Sequence, residues 1–322
     1  MRALRCTLLL LALTAAPAFA QQAEPTPLER QAWADRRLLD VGWKLARASA
    51  DLCPDARPAI GLMLRDVRGW ADPDAVREAF GQKRDFAVQA VASNSPAIRA
   101  GIAAGDEIAS LEGRDPNTLP AEDNRDWKRL YDVNETIEAM LRSSGAVAIA
   151  RSGEDERRIA GEPACYARFE VIQDSDRAAS TGLRVRIGDR WLAGDIADDG
   201  LAFLVAHELA HNILKHRLRR ELPRRRRPSS RDVEREADRL APWLMARAGY
   251  DPAGAVAFLE KHGPGQDGFL YLGTSHDGWK SRRDAIAREI EAITAAGTLD
   301  WTPYFAAELA AARDVMPPPV SR

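Results

Sequence analysis

The chain has 322 residues, of which 45% are hydrophobic and 29% are charged, and its formal net charge is -2. This composition is typical of globular proteins and excludes a largely disordered or membrane-embedded chain. The small net charge gives no indication of nucleic-acid binding. The length suits two modest domains or one large domain.

Residues 1–20 have the pattern of a secretory signal peptide. Two arginines precede an apolar core at residues 8–16, and the small residues Ala18 and Ala20 follow it. The apolar core is too short to span a bilayer comfortably, so we expect cleavage before Gln21; a membrane anchor is the alternative. The mature protein is therefore expected outside the cytoplasm.

Cleavage at this point leaves two cysteines, Cys53 and Cys165. An even number of cysteines in an oxidising compartment favours a disulfide, and these two flank a stretch that has the pattern of one domain. A Cys53–Cys165 bridge and two separate buried thiols are both open at this stage.

Residues 21–55 predict an N-terminal amphipathic helix, because apolar residues recur at roughly helical spacing and Cys53-Pro54 ends the pattern. Residues 56–162 have a different texture. Three runs of strong β-forming character, AIGLML, FAVQAV and AVAIAR, are separated there by turn and helix signals.

The order of motifs in residues 56–162 resembles a PDZ domain of the bacterial type. SPAIRAGIAAGDEIASLEG is followed by a helix and then by AIARSG, and AIGLML stands where PDZ domains place the carboxylate-binding loop and the strand that pairs with a peptide. The resemblance implies a β-sandwich or barrel module that binds a peptide C-terminus at a sheet edge. A module that only packs against the rest of the chain is the alternative. Insertions near residues 68–85 and 114–132 are longer than is usual in such domains.

Residues 163–322 begin with two predicted strands, RFEVIQD and LRVRIGDRWL, and continue with mostly helical periodicity. We therefore expect an α+β chain, in which a mainly helical domain with a small β-sheet is preceded by the PDZ-like module. No internal repeat is visible.

The helical segment VAHELAHNILKH, residues 205–216, contains three of the 5 histidines. His207 and His211 lie on one face of a helix, one turn apart, and Glu208 lies beside them. This HExxH pattern indicates a zinc site in which the glutamate takes a proton from a water molecule. The alternative is two buried histidines whose ring nitrogens are hydrogen-bonded within the core. On a straight helix His216 lies on the opposite face from His207, which predicts a surface residue and not a third ligand.

The third ligand is expected from a second helix, in the segment VEREAD. Glu234 is the first candidate and would complete a set of two histidines and one glutamate; Glu236 is the competing choice. Asp238 lies one turn after Glu234 and can accept a hydrogen bond from a ligand histidine, which would fix the orientation of the ring. An ordinary charged helix face is the alternative.

Together these motifs are similar to the gluzincin metallopeptidases of the HtpX and CAAX-prenyl-protease type. HELAH is followed by EREAD, by AGYDPAGAVAFLEK and by YLGTSHDGWKSRRDAI. The resemblance places the glutamate and aspartate of the ExxxD motif at Glu234 and Asp238, and the later histidine and arginine of the family at His276 and Arg282. Asp277 stands where the family usually has proline, and RAASTG stands where it often has an asparagine-alanine pair. The resemblance implies a soluble periplasmic zinc endopeptidase that acts in protein quality control of the bacterial envelope.

The expected reaction is peptide hydrolysis with one Zn²⁺. Zinc lowers the pKa of water to about 7, and Glu208 takes a proton from that water and later gives it to the leaving amine. His276, Tyr271 and Arg282 are candidates to stabilise the oxyanion, with His276 the first choice. Alternatively, His276 occupies the open zinc position and holds the enzyme inactive, or is a packed loop histidine. The strand LRVRIGD is the expected edge along which an extended substrate lies.

The expected partners are a polypeptide substrate and, at the PDZ-like module, a peptide C-terminus. The arginine-rich stretch Arg217–Arg227 is expected to form a solvated loop; contact with anionic lipid head groups or an acidic substrate is the alternative. Two rival functions are open: a zinc-containing peptide-binding chaperone or adaptor, and a mostly latent enzyme that needs a partner.

Overall fold

The computed structural model describes residues 24–123, 125–265 and 277–316. The predicted signal peptide, Tyr271 and His276 lie outside these ranges. Within them about 52% of the residues are helical and about 16% lie in strands of small sheets, which agrees with the predicted α+β class. None of the described helices is long and apolar enough to cross a membrane.

Several helices begin at a residue whose side chain caps the first turn. At the start of the first helix, the Thr26 hydroxyl accepts a hydrogen bond from the Glu29 N–H, and the Glu29 carboxylate accepts one from the Thr26 N–H. Ser229 and Asp232 form the same two hydrogen bonds at the start of the eighth helix. The described α-helices are α1 Pro27–Ala48, α2 Pro73–Phe80, α3 Pro96–Arg99, α4 Trp127–Ser144, α5 Asp189–Ala193, α6 Asp198–Ile213, α7 His216–Arg220, α8 Ser230–Arg247, α9 Ala253–His262, α10 Trp279–Ala296 and α11 Ala306–Asp314.

The strands are short and form several small sheets rather than a closed barrel within the described ranges. The strands are β1 Arg57–Ala59, β2 Leu62–Asp66, β3 Phe86–Val91, β4 Ile108–Leu111, β5 Ala146–Arg151, β6 Arg157–Ala160, β7 Glu162–Ala164, β8 Arg168–Ile172, β9 Ala178–Ser180 and β10 Arg184–Gly188. β1 pairs with β7, β2 with β3, and β5 with both β4 and β6, all antiparallel. β10 pairs with β8 in parallel and with β9 in antiparallel orientation.

The strand LRVRIGD is not the edge of its sheet, contrary to the prediction from the sequence. β10 lies in the middle, between β8 and β9. Gly182 adopts a left-handed conformation with φ +89°, and the Thr181 N–H donates to the Arg184 carbonyl, so the chain before the turn folds back onto β10. β9 therefore takes the edge position.

The buried apolar side chains form two clusters. The smaller cluster runs from Ile60 to Ile159 and lies wholly within the stretch that resembles a PDZ domain. The larger cluster joins α1 to the helices and strands that follow β7, and also includes Ala90 and Ala92 of the β3 region. The N-terminal helix is therefore part of the core of the C-terminal half, although the smaller unit separates the two in sequence.

Of the two alternatives for the cysteines, the structure has the disulfide: Cys53 and Cys165 are bonded, with their Cα atoms 5.6 Å apart. It joins the turn after α1 to the turn before β8, and the Cys165 N–H also donates to the Ala46 carbonyl. The bridge closes a loop with a sequence separation of 112 residues, which contains the whole smaller cluster.

Candidate metal centre

Two crossing helices bring three potential metal ligands together. α6 is buried on nearly all sides, and its periodicity places His207 and His211 on one face. α8 supplies Glu234. The Nε2 atoms of His207 and His211 are 3.2 Å apart, and Glu234 Oε2 lies 3.2 Å from His207 Nε2 and 3.4 Å from His211 Nε2.

These distances fit a tetrahedral metal ion. Nitrogen and oxygen ligands that lie about 2.0–2.1 Å from a tetrahedral zinc ion are about 3.3 Å from one another. The three observed separations all fall within about 0.1 Å of that spacing. Two imidazole nitrogens and a carboxylate oxygen are also suitable donors for zinc. His207, His211 and Glu234 could therefore hold a metal ion.

The structure distinguishes the two glutamates of the EREAD segment. Glu234 faces the histidine pair, whereas Glu236 bonds to Arg219 and contacts His216. The two residues are about 200° apart around a helix, so only one of them can face the ligands. Glu234 is the better candidate for the third ligand.

Asp238 lies where it can hold His207. Its Oδ1 is 3.0 Å from His207 Nδ1, and Arg282 donates to both carboxylate oxygens, at 2.7 and 2.6 Å. Burial disfavours the charged form of Asp238, but the Arg282 guanidinium holds the pKa of this carboxyl well below its usual range. Burial likewise disfavours protonated His207, yet the carboxylates of Asp238 and Glu234 raise its pKa to about 10.

Two of the predicted catalytic residues lie in the described part of this centre. Glu208 is 7% exposed and lines the cavity of about 400 Å³ that contains the histidines. Arg282 lines the same cavity; beyond its two bonds to Asp238, its Nη1 atom has no hydrogen-bond partner among the described residues. His276 and Tyr271, the other candidates for the oxyanion, lie outside the described residues. Asp277, which follows His276, pairs with Arg235 of α8 at 2.6 Å.

His216 is buried, so the prediction that it is a surface residue was wrong. It is 2% exposed, and its Nδ1 lies 2.7 Å from Nδ1 of His211. α6 ends at Ile213, and Lys215 adopts a left-handed conformation with φ 53°, so the chain turns and carries His216 back toward the ligands. Burial lowers the pKa of His216 to about 4. Nothing in the sequence predicts this turn, because lysine is not a residue that favours positive φ.

The free edge of the small sheet borders the metal cavity. Thr181 donates to Arg184, and Gly188 donates to Arg177, so antiparallel alternation leaves the backbone groups of Ala178 and Ser180 pointing away from β10. Both residues line the cavity. Among the described residues no second strand covers this edge.

Arginines surround one side of the cavity. Arg217 and Arg220 of α7 are exposed and line it, and the exposed residues 224–227 continue the basic stretch. The predicted solvated loop over Arg217–Arg227 fits only the later part of the stretch, because Arg217–Arg220 lie in α7 and Arg219 is buried.

A second cavity, of about 460 Å³, lies between β2 and α4. β2 pairs with β3 on one side, and its other edge has no strand neighbour in the described ranges. Side chains from α1 and β8 close the cavity, and Arg168 of β8 binds Glu135 and Glu138 of α4. AIGLML, residues 59–64, which the sequence predicts as the carboxylate-binding loop and peptide-pairing strand, lines this cavity.

Comparisons of the chain with protein-family models, with curated proteins and with solved structures found no match.

Proposed function

We propose that this protein is a secreted zinc-dependent endopeptidase with His207, His211 and Glu234 as the metal ligands. The single observation that carries the proposal is the mutual spacing of the three ligand atoms, 3.2 to 3.4 Å, next to a buried glutamate of the HExxH motif. The resemblance to HtpX-type gluzincins supports the same assignment. A predicted signal peptide supports a location outside the cytoplasm, with protein quality control in the bacterial periplasm as the setting.

The residues have separate roles in the proposed reaction. A bound zinc ion would act as a Lewis acid that makes water more acidic and polarises the scissile carbonyl. Glu208 takes a proton from the attacking water and gives it to the leaving nitrogen. Ala178 and Ser180 pair with the main chain of an extended substrate. Arg282 Nη1 is a donor for the developing oxyanion.

Replacement of Glu208 by glutamine tests the proposal. The mature wild-type protein should contain about one zinc per chain and cleave an unfolded substrate such as casein. Glu208→Gln should keep the zinc and lose about 10²–10⁴-fold in cleavage rate, because the base is gone. Glu289→Gln is the matched control: Glu289 is 9% exposed and bonds to Trp243 and Arg239, outside the cavity. Full cleavage by Glu208→Gln would show that the protein is not this kind of peptidase.

A second candidate function is peptide binding by the PDZ-like unit, with little or latent protease activity. The cavity between β2 and α4, with an open strand edge, favours it. Peptides with a free C-terminus should bind more tightly than the same peptides with an amidated C-terminus, as measured by fluorescence anisotropy. Asn134→Trp on α4, which lines the cavity, should weaken that binding.

The two candidate functions differ in the effect that a peptide bound in the cavity between β2 and α4, the groove, has on cleavage. If peptide capture only delivers substrate or regulates the enzyme, Asn134→Trp changes cleavage of casein while Glu208→Gln abolishes it. If the protein is a binding protein alone, purified wild type does not cleave casein with or without a groove peptide. The whole chain should be used, because α1 belongs to the larger core and a fragment that begins at residue 163 would lack it.

A further inference from the structure

His211 has a buried partner on the side of the ring that faces away from Glu234. Its Nδ1 atom lies 2.7 Å from Nδ1 of His216, and the two rings meet edge to face with centroids 4.7 Å apart. The left-handed turn at Lys215 makes this contact, and Lys215 is itself fixed by an ion pair with Asp55. The contact is therefore built by the fold between two helices and is not an accident of a free surface side chain.

The contact continues to a carboxylate and a guanidinium. His216 Nε2 lies 2.9 Å from Glu236 Oε2. Arg219 Nη1 donates to the same oxygen at 2.6 Å, and Arg219 Nη2 donates to Oε1 at 3.1 Å. Arg219 is 7% exposed. The negative charge of Glu236 is thus matched by Arg219, and no charge on His216 is needed to balance it.

The direction of the hydrogen bonds follows from donors and acceptors. A carboxylate only accepts, so Nε2 of His216 must carry the proton that faces Glu236. A neutral His216 then has a lone pair at Nδ1, and the facing Nδ1 of His211 must carry a proton. That leaves Nε2 of His211 with its lone pair, on the atom that faces His207 and Glu234.

We propose that Arg219, Glu236 and His216 form a hydrogen-bonded relay that fixes the tautomer and orientation of His211 for metal binding. The inference rests on the proposed zinc site and adds three positioning residues to it. The two ligand histidines are then supported in parallel ways. Asp238 faces His207 directly, with Arg282 behind it, whereas Glu236 reaches His211 through a second imidazole, with Arg219 behind it.

Zinc affinity, measured by competition with a chromogenic chelator, tests the relay without recourse to activity. His216→Leu removes the acceptor for His211 and should weaken zinc binding about 10–100-fold. His216→Asn keeps an acceptor oxygen near the position of Nδ1 and should recover most of that loss. The visible spectrum of the Co²⁺-loaded protein should change in His216→Leu and stay close to wild type in His216→Asn.

Glutamate-to-glutamine variants give an independent test in which the size and shape of the buried side chain are preserved. Glu236→Gln no longer restricts His216 to one tautomer and should weaken zinc binding about tenfold or more. Glu289→Gln neutralises another buried glutamate that is paired with an arginine, and it should leave zinc affinity unchanged. Unfolding of each variant is followed by circular dichroism, and the glutamate pair decides the matter if His216→Leu does not fold.

The possible failures are distinguishable. A wild-type protein that binds zinc tightly, with unchanged affinity and Co²⁺ spectrum in His216→Leu and Glu236→Gln, would overturn the relay and leave the zinc peptidase intact. A folded wild-type protein that binds no zinc would contradict the proposed function itself.

Discussion

Nδ1 of His207 lies 3.0 Å from Oδ1 of Asp238, and Arg282 binds both oxygens of that carboxylate. Asp238→Asn can present an amide N–H to the ring and no longer selects its metal-binding tautomer, so zinc affinity should fall about 10–100-fold. Chelator competition measures the loss. Asp66→Asn, at a buried carboxylate 3.5 Å from Arg129, is the control and should leave zinc affinity unchanged. Equal effects of the two variants would remove the special role of Asp238.

The free edge of β9 should bind the main chain of the substrate. Ala178→Pro removes an N–H that points away from β10 and should therefore reduce cleavage of casein at least tenfold while the zinc content stays the same. Ala178→Val keeps the N–H and is the matched control. We expect the loss chiefly in kcat/KM of peptide substrates. Unimpaired cleavage by a folded Ala178→Pro variant would place the substrate elsewhere.

The disulfide should contribute strongly to stability. A cross-link that closes a loop of about 100 residues stabilises by about 4–5 kcal/mol through the lost entropy of the unfolded chain. The Cys53→Ala, Cys165→Ala double variant should therefore unfold at a markedly lower urea concentration than wild type. Reduction of wild type with dithiothreitol should reproduce the shift, and dithiothreitol should not affect the double variant. An unchanged urea midpoint would mean that other contacts already hold the loop ends together.

Asp35 should make stability depend on pH. Burial raises the pKa of this carboxyl from 3.8 to about 6, although Gln89 donates to it at 2.7 Å. Because the pKa of Asp35 is higher in the folded chain than in the unfolded chain, the contribution of Asp35 to the free energy of unfolding is highest below about pH 4. It falls as the pH rises through 6. Asp35→Asn should thus be more stable than wild type near pH 7.5, by on the order of 3 kcal/mol, and equal to it near pH 4.

Denaturant unfolding at the two pH values checks this prediction. Glu78→Gln, at an exposed position of α2, is the control for the removal of a carboxylate charge. A stability difference between wild type and Asp35→Asn that does not vary with pH would show that Asp35 is not the titrating group.

The parts of the site that depend on local spacing could be predicted from the sequence. His207 and His211 lie one turn apart on α6, and that relation needs nothing but helical geometry. The cysteine pair was open between two alternatives, and the structure decides for the bridge. The choice between Glu234 and Glu236 depends on how α8 is rotated about its axis relative to α6. The spacing of residues within one helix does not determine that rotation.

The wrong predictions for His216 and for β10 have specific physical causes. His216 was placed by extending α6 as a straight helix, but a single left-handed residue, Lys215, redirects the chain. The apolar alternation of LRVRIGD predicts a strand, but it contains no information about the neighbours of that strand in the sheet. Strand order depends on which segments pair, and the three residues of β9 are too few to be recognised in the sequence.

The bridge between Cys53 and Cys165 also marks where the chain could be shortened. Cys53 and Cys165 flank residues 54–164, and their Cα atoms are 5.6 Å apart. One or two residues can span that gap. α1 keeps its place in the larger core on the near side of this gap. Residues 54–164 are thus topologically an insertion, and a short glycine linker in their place would keep α1, β8 to β10 and the three candidate ligands in one chain while removing Asp55, the partner of Lys215. A comparison of this shortened chain with the whole protein would show what residues 54–164 contribute to zinc content and to the cleavage of casein.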